Sequence, residues 1–134
     1  MNKKDISLPV FADERGCLGV IEFSKLIPFD VRRIYYMSEM DTEVTRGCHA
    51  HKRLKQFIVC LSGSFELLLD DGENRTTTIL NNPSKGIYVD KMIWRELSNF
   101  STGTVILVLA NEEFDETEYI RDYKSFICAV NNQE

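Results

Sequence analysis

The sequence predicts an all-β domain, a small antiparallel β-barrel or jelly roll that ends in a short C-terminal helix. Short apolar runs are separated by turn residues at close, regular spacing. Closing such strands into a barrel limits their exposed edges. With 134 residues, of which 43% are hydrophobic, the chain suffices for one domain, residues 1–134, with one core.

Eight runs are predicted as strands because each is rich in β-branched, aromatic or other apolar residues. They span residues 17–23, 31–37, 56–61, 65–69, 75–80, 86–89, 92–97 and 104–110. Ser62-Gly63-Ser64 predicts a tight hairpin between the third and fourth runs, and Asp70-Asp71-Gly72 predicts a turn before the fifth. The run at 104–110 is continuously apolar after its first residue, which is typical of a strand buried on both faces.

The C-terminal region departs from this strand pattern. Residues 115–118 (DETE) offer an N-cap, and apolar residues then recur at helical spacing. These residues are Tyr119, Ile120, Tyr123, Phe126 and Ile127. We therefore predict one helix at about 117–129.

The overall charge is negative, with 16 Lys and Arg against 21 Asp and Glu, for a net charge of −5. This balance argues against nucleic-acid binding through bulk charge, but it permits a small anionic ligand held by a few arginines. No apolar run reaches the roughly 18 residues that a membrane span needs, so no membrane association is expected. The first residues also lack the apolar core of a secretory signal.

The four cysteines, Cys17, Cys48, Cys60 and Cys128, are irregularly spaced and form no CxxC pair. We interpret them as reduced thiols in a cytoplasmic protein, with disulfide pairing as the alternative. Cys48 lies next to a histidine, but strand alternation directs its side chain to the opposite face. A thiol nucleophile is therefore not favoured.

Both histidines of the chain lie in the segment RGCHAHK (46–52). Because residues i and i+2 of a strand face the same side, His49 and His51 project together, and Gly47 leaves space beside them. Imidazole serves as an acid–base group near neutral pH without tuning, so this pair points to catalysis. Two surface or hydrogen-bonded core histidines are the alternative.

An HxH pair on a barrel strand resembles the start of the cupin metal motif, which continues with an acidic residue, a glycine and a histidine from a second strand. Gly63 stands at the glycine position, whereas Gln56 replaces the acid and Arg95 the second-strand histidine. An amide is a poor ligand for transition metals, and a guanidinium repels them. We therefore predict a cupin with neither metal nor other cofactor.

Longer segments resemble one cupin family, the sugar 3,4-ketoisomerases that act on dTDP-4-keto-6-deoxyglucose. They cover nearly the whole chain and are DERGCLGVIE (13–22), IPFDVRRIYYM (27–37), RGCHAHKRLKQFIVCLSGS (46–64), LDDG (69–72), GIYVDKMIWRE (86–96) and NEEFDETEYIRDYKSF (111–126). Together these segments are far more specific than HxH alone. One position departs from the family, because the usual Trp-His-Glu is Trp94-Arg95-Glu96, and Arg95 cannot supply a proton in place of histidine.

The resemblance implies an isomerase that moves the sugar carbonyl from C4 to C3 through an enediolate. The 3-keto product would pass to an aminotransferase that makes 3-amino-3,6-dideoxyhexoses for surface glycans such as lipopolysaccharide. Relatives form dimers that exchange N-terminal strands, so a swapped homodimer is expected. Cys17 and Leu18 follow the Asp-x-Arg-Gly segment and favour the galacto configuration at C4.

For this reaction we predict His51 as the base that takes the carbon-bound proton, His49 as its partner and Tyr35 as a third catalytic residue. Tyr35 shares a strand face with Arg33, whereas Tyr36 faces away. The diphosphate of the substrate needs cations, and its thymine needs an aromatic ring. The predicted substrate-binding residues are Arg33, Arg46, Lys52, Tyr88, Trp94, Arg95 and Arg121.

Two of these assignments carry conditions. Strand alternation aims Arg46 away from the histidines unless the chain kinks at Gly47. Arg121 is expected on the C-terminal helix, where a solvated face is an equal alternative. Three other functions stay open: a nucleotide-sugar 3,5-epimerase, a metal-dependent cupin dioxygenase or isomerase, and a non-catalytic domain that binds a nucleotide sugar.

Overall fold

Two antiparallel sheets of five strands face each other in the computed structural model of the chain, which describes residues 1–132. The strand order of the first sheet is β1 (Lys3–Ser7), β9 (Lys85–Val89), β6 (Gln56–Ser62), β11 (Val105–Ala110) and β4 (Arg33–Met37). The order of the second is β12 (Tyr119–Ile120), β5 (Arg46–His51), β10 (Trp94–Ser98), β7 (Phe65–Asp70) and β8 (Arg75–Leu80). The predicted all-β, cupin-type jelly roll is confirmed.

The other elements lie outside these two sheets. They are the strands β2 (Val10–Asp13) and β3 (Gly16–Gly19), the one-turn helix α1 (Phe23–Leu26), a 3₁₀ turn at Glu116–Glu118 and the helix α2 (Tyr123–Asn131). β2 and β3 form a separate two-stranded sheet. Among residues 1–132, no helix combines the length and apolar character that crossing a membrane requires.

Apolar side chains form three layers around the sheets. The main core fills the space between the sheets and includes Ile106 and Val108 of β11. Leu109, on the other face of β11, joins an outer cluster that also contains Ile6. The strand β11 is therefore buried on both faces, as predicted. On the opposite side of the molecule, α2 covers the second sheet with Phe126.

The hairpin predicted at Ser62-Gly63-Ser64 is wrong, because β6 and β7 belong to opposite sheets. Gly63 has a φ of +77°, and a β-carbon there would lie 2.6 Å from the hydroxyl oxygens of Ser101 and Thr104. The buried Thr104 hydroxyl also donates to the carbonyl of Ser64 at 3.1 Å. The turn residues thus form a crossing between sheets. The second predicted hairpin, β7 with β8, is confirmed.

The C-terminal helix begins later than predicted. It spans Tyr123–Asn131 rather than 117–129, and Tyr119–Ile120 form β12, which pairs with β5. The buried carboxylate of Glu118 accepts the backbone N–H of Leu54 at 2.6 Å, which fixes this segment beside β5. A tertiary partner therefore overrides the helical spacing of the apolar residues.

Candidate active site

A cavity of about 490 Å³ is lined by strands of both sheets. Its lining residues are Arg33, Tyr35, Met37, Arg46, Gly47, His49, Gln56, Ile58, Arg95, Leu97, Val108, Phe114, Tyr119 and Arg121. Four of these residues are arginines, and within the described part of the chain none of the lining residues is acidic. The cavity is therefore cationic although the chain carries a net charge of −5, and it suits an anionic ligand.

The strand β5 presents the two histidines side by side. Their Nε2 atoms lie 3.1 Å apart, and His49 Nδ1 lies 3.0 Å from the carbonyl oxygen of Gly47. Because a carbonyl only accepts, neutral His49 carries its proton on Nδ1, and its Nε2 accepts from His51 Nε2. The remaining nitrogen, His51 Nδ1, then holds a free lone pair. This atom is buried and has no hydrogen-bond partner among residues 1–132.

Both imidazoles are neutral at physiological pH. Burial, together with the charge of Arg95, lowers the pKa of His49 from 6.5 to about 4. The same two causes lower the pKa of His51 further, with a contribution from His49. Of the two, His49 lines the cavity, whereas His51 is fully buried. Each ring is therefore in the form that can accept a proton.

A β-bulge in β5 shapes the entrance to this pair. Gly47 and Cys48 have left-handed φ values of +81° and +54°, and the pairing with β10 shifts register opposite them. The bulge brings Arg46 into the cavity lining, which strict alternation would not do. Cys48 is exposed and does not line the cavity, so the prediction that its side chain turns away is confirmed.

A hydrogen-bonded row crosses the inner part of the cavity from β4 to β10. Gln56 donates through Nε2 to Tyr35 Oη at 2.9 Å and accepts through Oε1 from Arg95 Nη1. Arg95 is 2% exposed, and burial lowers its pKa to about 10. Burial also raises the pKa of Tyr35. Tyr36 is 71% exposed, so the predicted division between the two tyrosines is confirmed.

The row decides whether the site can hold a metal. Gln56 and Arg95 occupy the two cupin positions that would complete a ligand set with the histidines, and they bind each other instead. An amide and a guanidinium do not fit a transition-metal ion. Moreover, no group of three or more His, Cys, Asp or Glu side chains within residues 1–132 is placed to hold one. No chemistry is therefore assigned to a metal here.

The outer part of the cavity carries the other cations. The guanidinium of Arg33 lies 5.2 Å from the ring centre of Tyr35 and 5.7 Å from that of Phe114, and its Nε has no partner in the described chain. Arg121 donates to both carboxylate oxygens of Glu116 at 2.8 and 3.0 Å. Arg121 precedes α2, so its predicted position on the helix is wrong.

Tyr119 is an aromatic cavity residue that the site predicted from the sequence did not include. Its ring centre lies 4.9 Å from that of His49 and 4.5 Å from that of His51. Tyr119 pairs with His51 across β12 and β5. The helix predicted at 117–129 placed Tyr119 on a helix rather than on a strand beside the histidines. The i, i+2 relation of Tyr119 to Arg121 was the signal that could have revealed a short strand.

Three predicted binding residues lie outside the cavity, and these assignments are corrected. Lys52 is exposed and borders a separate surface hollow near α2. Tyr88 packs in the outer cluster, with its ring centre 6.0 Å from that of Phe29. Trp94 packs under α2, 5.9 Å from Phe126, because its neighbour in β10 points into the cavity and alternation turns Trp94 outward.

Comparisons with known proteins identify the family of the chain. The family model described as "FdtA: WxcM-like, C-terminal" matches residues 1–131. The TDP-4-oxo-6-deoxy-alpha-D-glucose-3,4-oxoisomerase of Aneurinibacillus thermoaerophilus is 44% identical over 134 residues, covering 98% of this chain and 96% of the relative.

Two solved structures are similarly close. A 3,4-ketoisomerase from Helicobacter canadensis is 44% identical, with a TM-score of 0.94 over 98% of each chain. A histidine-to-asparagine variant of the 3,4-ketoisomerase QdtA from Thermoanaerobacterium thermosaccharolyticum, in complex with TDP-4-keto-6-deoxyglucose, is 40% identical. Its TM-score is 0.95 over 98% of this chain and 96% of that one. The chain therefore belongs to the FdtA/WxcM-like family of isomerases.

Proposed function

We propose that this protein is a 3,4-ketoisomerase that converts TDP-4-keto-6-deoxyglucose into a TDP-3-keto-6-deoxyhexose. The observation that carries the proposal is the pair of neutral histidines, with Nε2 atoms 3.1 Å apart, of which His49 lines a cavity together with Tyr35 and four arginines. The names of two relatives, 44% and 40% identical over nearly the whole chain, support the substrate.

The reaction needs one base and a stabilised enediolate. The base removes the C3 proton, which the neighbouring C4 ketone acidifies, and the negative charge moves onto the C4 oxygen. The C4 oxygen takes up a proton and becomes a hydroxyl, the O3 hydroxyl loses its proton, and a proton returned to C4 then leaves the ketone at C3. One carbon-bound proton and one hydroxyl proton are exchanged, so the sugar neither gains nor loses atoms.

We assign the carbon-bound proton to His51. Of the two histidines, His51 has the free lone pair, on its Nδ1. Protonation of that atom keeps both the hydrogen bond from His51 to His49 and the hydrogen bond from His49 to Gly47. His49 then serves as its partner and handles the hydroxyl proton. Because no part of His51 is exposed, the sugar must displace a neighbouring side chain to reach it.

Donors and cations around the pair fit the rest of the substrate. We propose that Tyr35 donates to the enediolate oxygen. Arg33 and Arg46 are proposed to bind the diphosphate, because neither has an acidic partner within 4 Å among the described residues. Arg121 would join them by leaving Glu116.

The test is incubation with TDP-4-keto-6-deoxyglucose in deuterated water, followed by ¹H and ¹³C NMR. We expect the carbonyl signal to move from C4 to C3 and deuterium to appear at C4. Inversion at C5 would indicate an epimerase, and binding without conversion would indicate a binding domain. Stoichiometric Fe, Mn, Ni or Zn in the purified protein would contradict the metal-free site. Added 3-aminotransferase should trap the 3-keto product.

The configuration of the product at C4 stays a prediction. Cys17 and Leu18, which favour the galacto outcome, border a separate hollow on the β2–β3 hairpin and do not line the cavity of their own chain. They can influence C4 only if that hairpin reaches the site of a partner. The coupling between H4 and H5 in the same NMR spectrum reports the configuration.

We propose a homodimer in which the β2–β3 hairpins are exchanged. Phe11 and Leu18 on the hairpin are 66% and 59% exposed, and the hairpin pairs with neither large sheet. Phe11→Asp should give a monomer in sedimentation velocity, whereas Ile79→Asp, at a site 59% exposed on β8, should not. A wild-type monomer would contradict the proposal.

We also propose a cytoplasmic location, since all four cysteines are free thiols.

A further inference from the structure

We propose that Gln56 sets the direction of the hydrogen bonds around Tyr35, so that the phenol hydrogen points into the cavity, and that Arg95 in turn fixes the orientation of Gln56. Gln56 and Arg95 are thus positioning residues that act through Tyr35. The catalytic consequence rests on the proposed function, whereas the order of the hydrogen bonds can be tested without it.

Arg95 determines the orientation of the Gln56 amide. Arg95 has only donors, and its Nη1 points at Gln56. The amide must therefore turn its oxygen towards Arg95, because the opposite orientation would set two donors against each other. The Gln56 side chain is 1% exposed, so no solvent competes for this choice. Its NH₂ group then faces Tyr35 Oη at 2.9 Å.

The orientation of the Gln56 amide in turn determines the hydrogen bonding of the Tyr35 phenol. Tyr35 Oη accepts the hydrogen bond of Gln56, so its own hydrogen is not used in that bond. Tyr35 lines the cavity, and no other side chain of residues 1–132 is bonded to its hydroxyl. The hydrogen is therefore free to donate to a ligand oxygen, as an enediolate requires.

A third observation explains why an amide stands here. Arg95 is almost fully buried, and it contacts an amide and the backbone carbonyl of Ile93 rather than an acid. A carboxylate at position 56 would neutralise the buried charge better. It would also accept the phenol hydrogen of Tyr35 and withdraw that hydrogen from the cavity. The uncharged amide satisfies Arg95 while leaving the phenol as a donor.

Gln56→Glu tests the proposal, because it preserves shape and the contact with Arg95 but replaces the donor facing Tyr35 with an acceptor. We expect kcat to fall about 100-fold, with KM changed less than threefold. Gln56→Met, which neither donates nor accepts strongly, should lie between wild type and Gln56→Glu. A packing role predicts the reverse order, because Glu is the closer match in shape. Reversal of the order, or unchanged kcat in Gln56→Glu, would overturn the proposal.

A double-mutant cycle tests whether the effect passes through Tyr35. In the Tyr35→Phe background, Gln56→Glu should change kcat less than threefold, since no phenol remains to be redirected. Independent, multiplying effects of the two substitutions would contradict the proposal. Melting temperatures of all variants serve as the control for folding.

A readout without turnover separates this inference from the proposed function. With 3,5-difluorotyrosine incorporated at position 35, ¹⁹F NMR follows ionisation of that phenol near neutral pH. Gln56→Glu should raise the pKa of this phenol by about one unit or more, because a carboxylate disfavours the phenolate that an amide donor supports. An unchanged or lower pKa would overturn the inference. Failure of the wild-type protein to move the carbonyl would instead overturn only the proposed function.

Discussion

The inner end and the rim of the cavity differ in how far their side chains are arranged before a ligand binds. At the inner end, His51, Gln56 and Arg95 are at most 2% exposed, and hydrogen bonds fix the orientation of each. At the rim, formed by Arg33, Arg46 and Arg121, side chains are partly or largely exposed. Arg121, for example, is 53% exposed and bound to an equally accessible glutamate.

The difference indicates a division of labour. Groups that are fixed in advance stabilise a transition state without reorganisation. Substituting a side chain at the inner end should therefore lower kcat. Exposed cations stabilise the free protein little, and they interact strongly only when a phosphate binds them. Removing a cation from the rim should therefore raise KM.

The strongest test of the inner end is His51→Asn. Because an amide cannot accept the C3 proton, we expect kcat to fall about 10³-fold and exchange of the C3 proton into deuterated water to stop. TDP affinity should stay within about threefold of wild type, since the rim is untouched. His49→Asn leaves the lone pair on His51 and should slow exchange without abolishing it. Retained C3 exchange in His51→Asn would show that another group is the base.

Gly47→Ala breaks the bulge that joins the two regions. A β-carbon there would lie 3.0 Å from the carbonyl oxygen of Arg95, at a φ of +81°. We expect a loss of about 3 kcal/mol in the free energy of unfolding, measured in urea. Gly103→Ala is the matched control, since its φ is +78° and nothing lies within 4 Å. It should cost about 1 kcal/mol. Equal losses would show that the close approach carries no cost.

Arg33→Met removes a rim cation while keeping an apolar stem against Phe114. We expect KM and the Kd for TDP to rise about tenfold, with kcat within threefold of wild type. Calorimetry with TDP and steady-state kinetics measure the two quantities. Arg32→Met, at the exposed neighbouring position, should change neither. A fall in kcat at constant KM would assign Arg33 to the inner end instead.

We expect activity to depend only weakly on pH near neutrality. The fold lowers the pKa of His49 from 6.5 to about 4, so kcat/KM should stay flat between pH 6 and 8 and decline only near pH 4. Because the unfolded chain binds more protons between these pKa values, stability should also fall as the pH drops from 6.5 towards 4. A decline in kcat/KM centred at pH 6.5 would contradict neutral, buried histidines.

Sequence patterns within single strands correctly predicted which side chains share a face and which strand is buried. The i, i+2 rule paired His49 with His51 and separated Tyr35 from Tyr36, and the apolar run of β11 marked a strand buried on both faces. Partners distant in sequence decided what the patterns could not. The residues around Gly63 predict a turn, but they do not encode which sheet receives the next strand.

The site was predictable to a similar extent. Arg33 and Arg46 line the cavity as the sequence suggested, the second only because of a bulge that no spacing specifies. Tyr119 was missed, because two residues of strand are too few to outweigh a helical pattern. Tyr88 and Trp94 were misplaced, since an aromatic residue in a strand fits an outer apolar layer as well as a binding site.

The carboxylate of Glu118 has a consequence for how the protein loses activity on heating. It docks a tail whose strand pairing is only two residues long, yet this tail carries Tyr119 and Arg121. Detachment of the tail would dismantle the cavity while the barrel stays folded. We therefore expect thermal inactivation to precede melting, and amide hydrogen exchange to be faster in residues 119–131 than in β6.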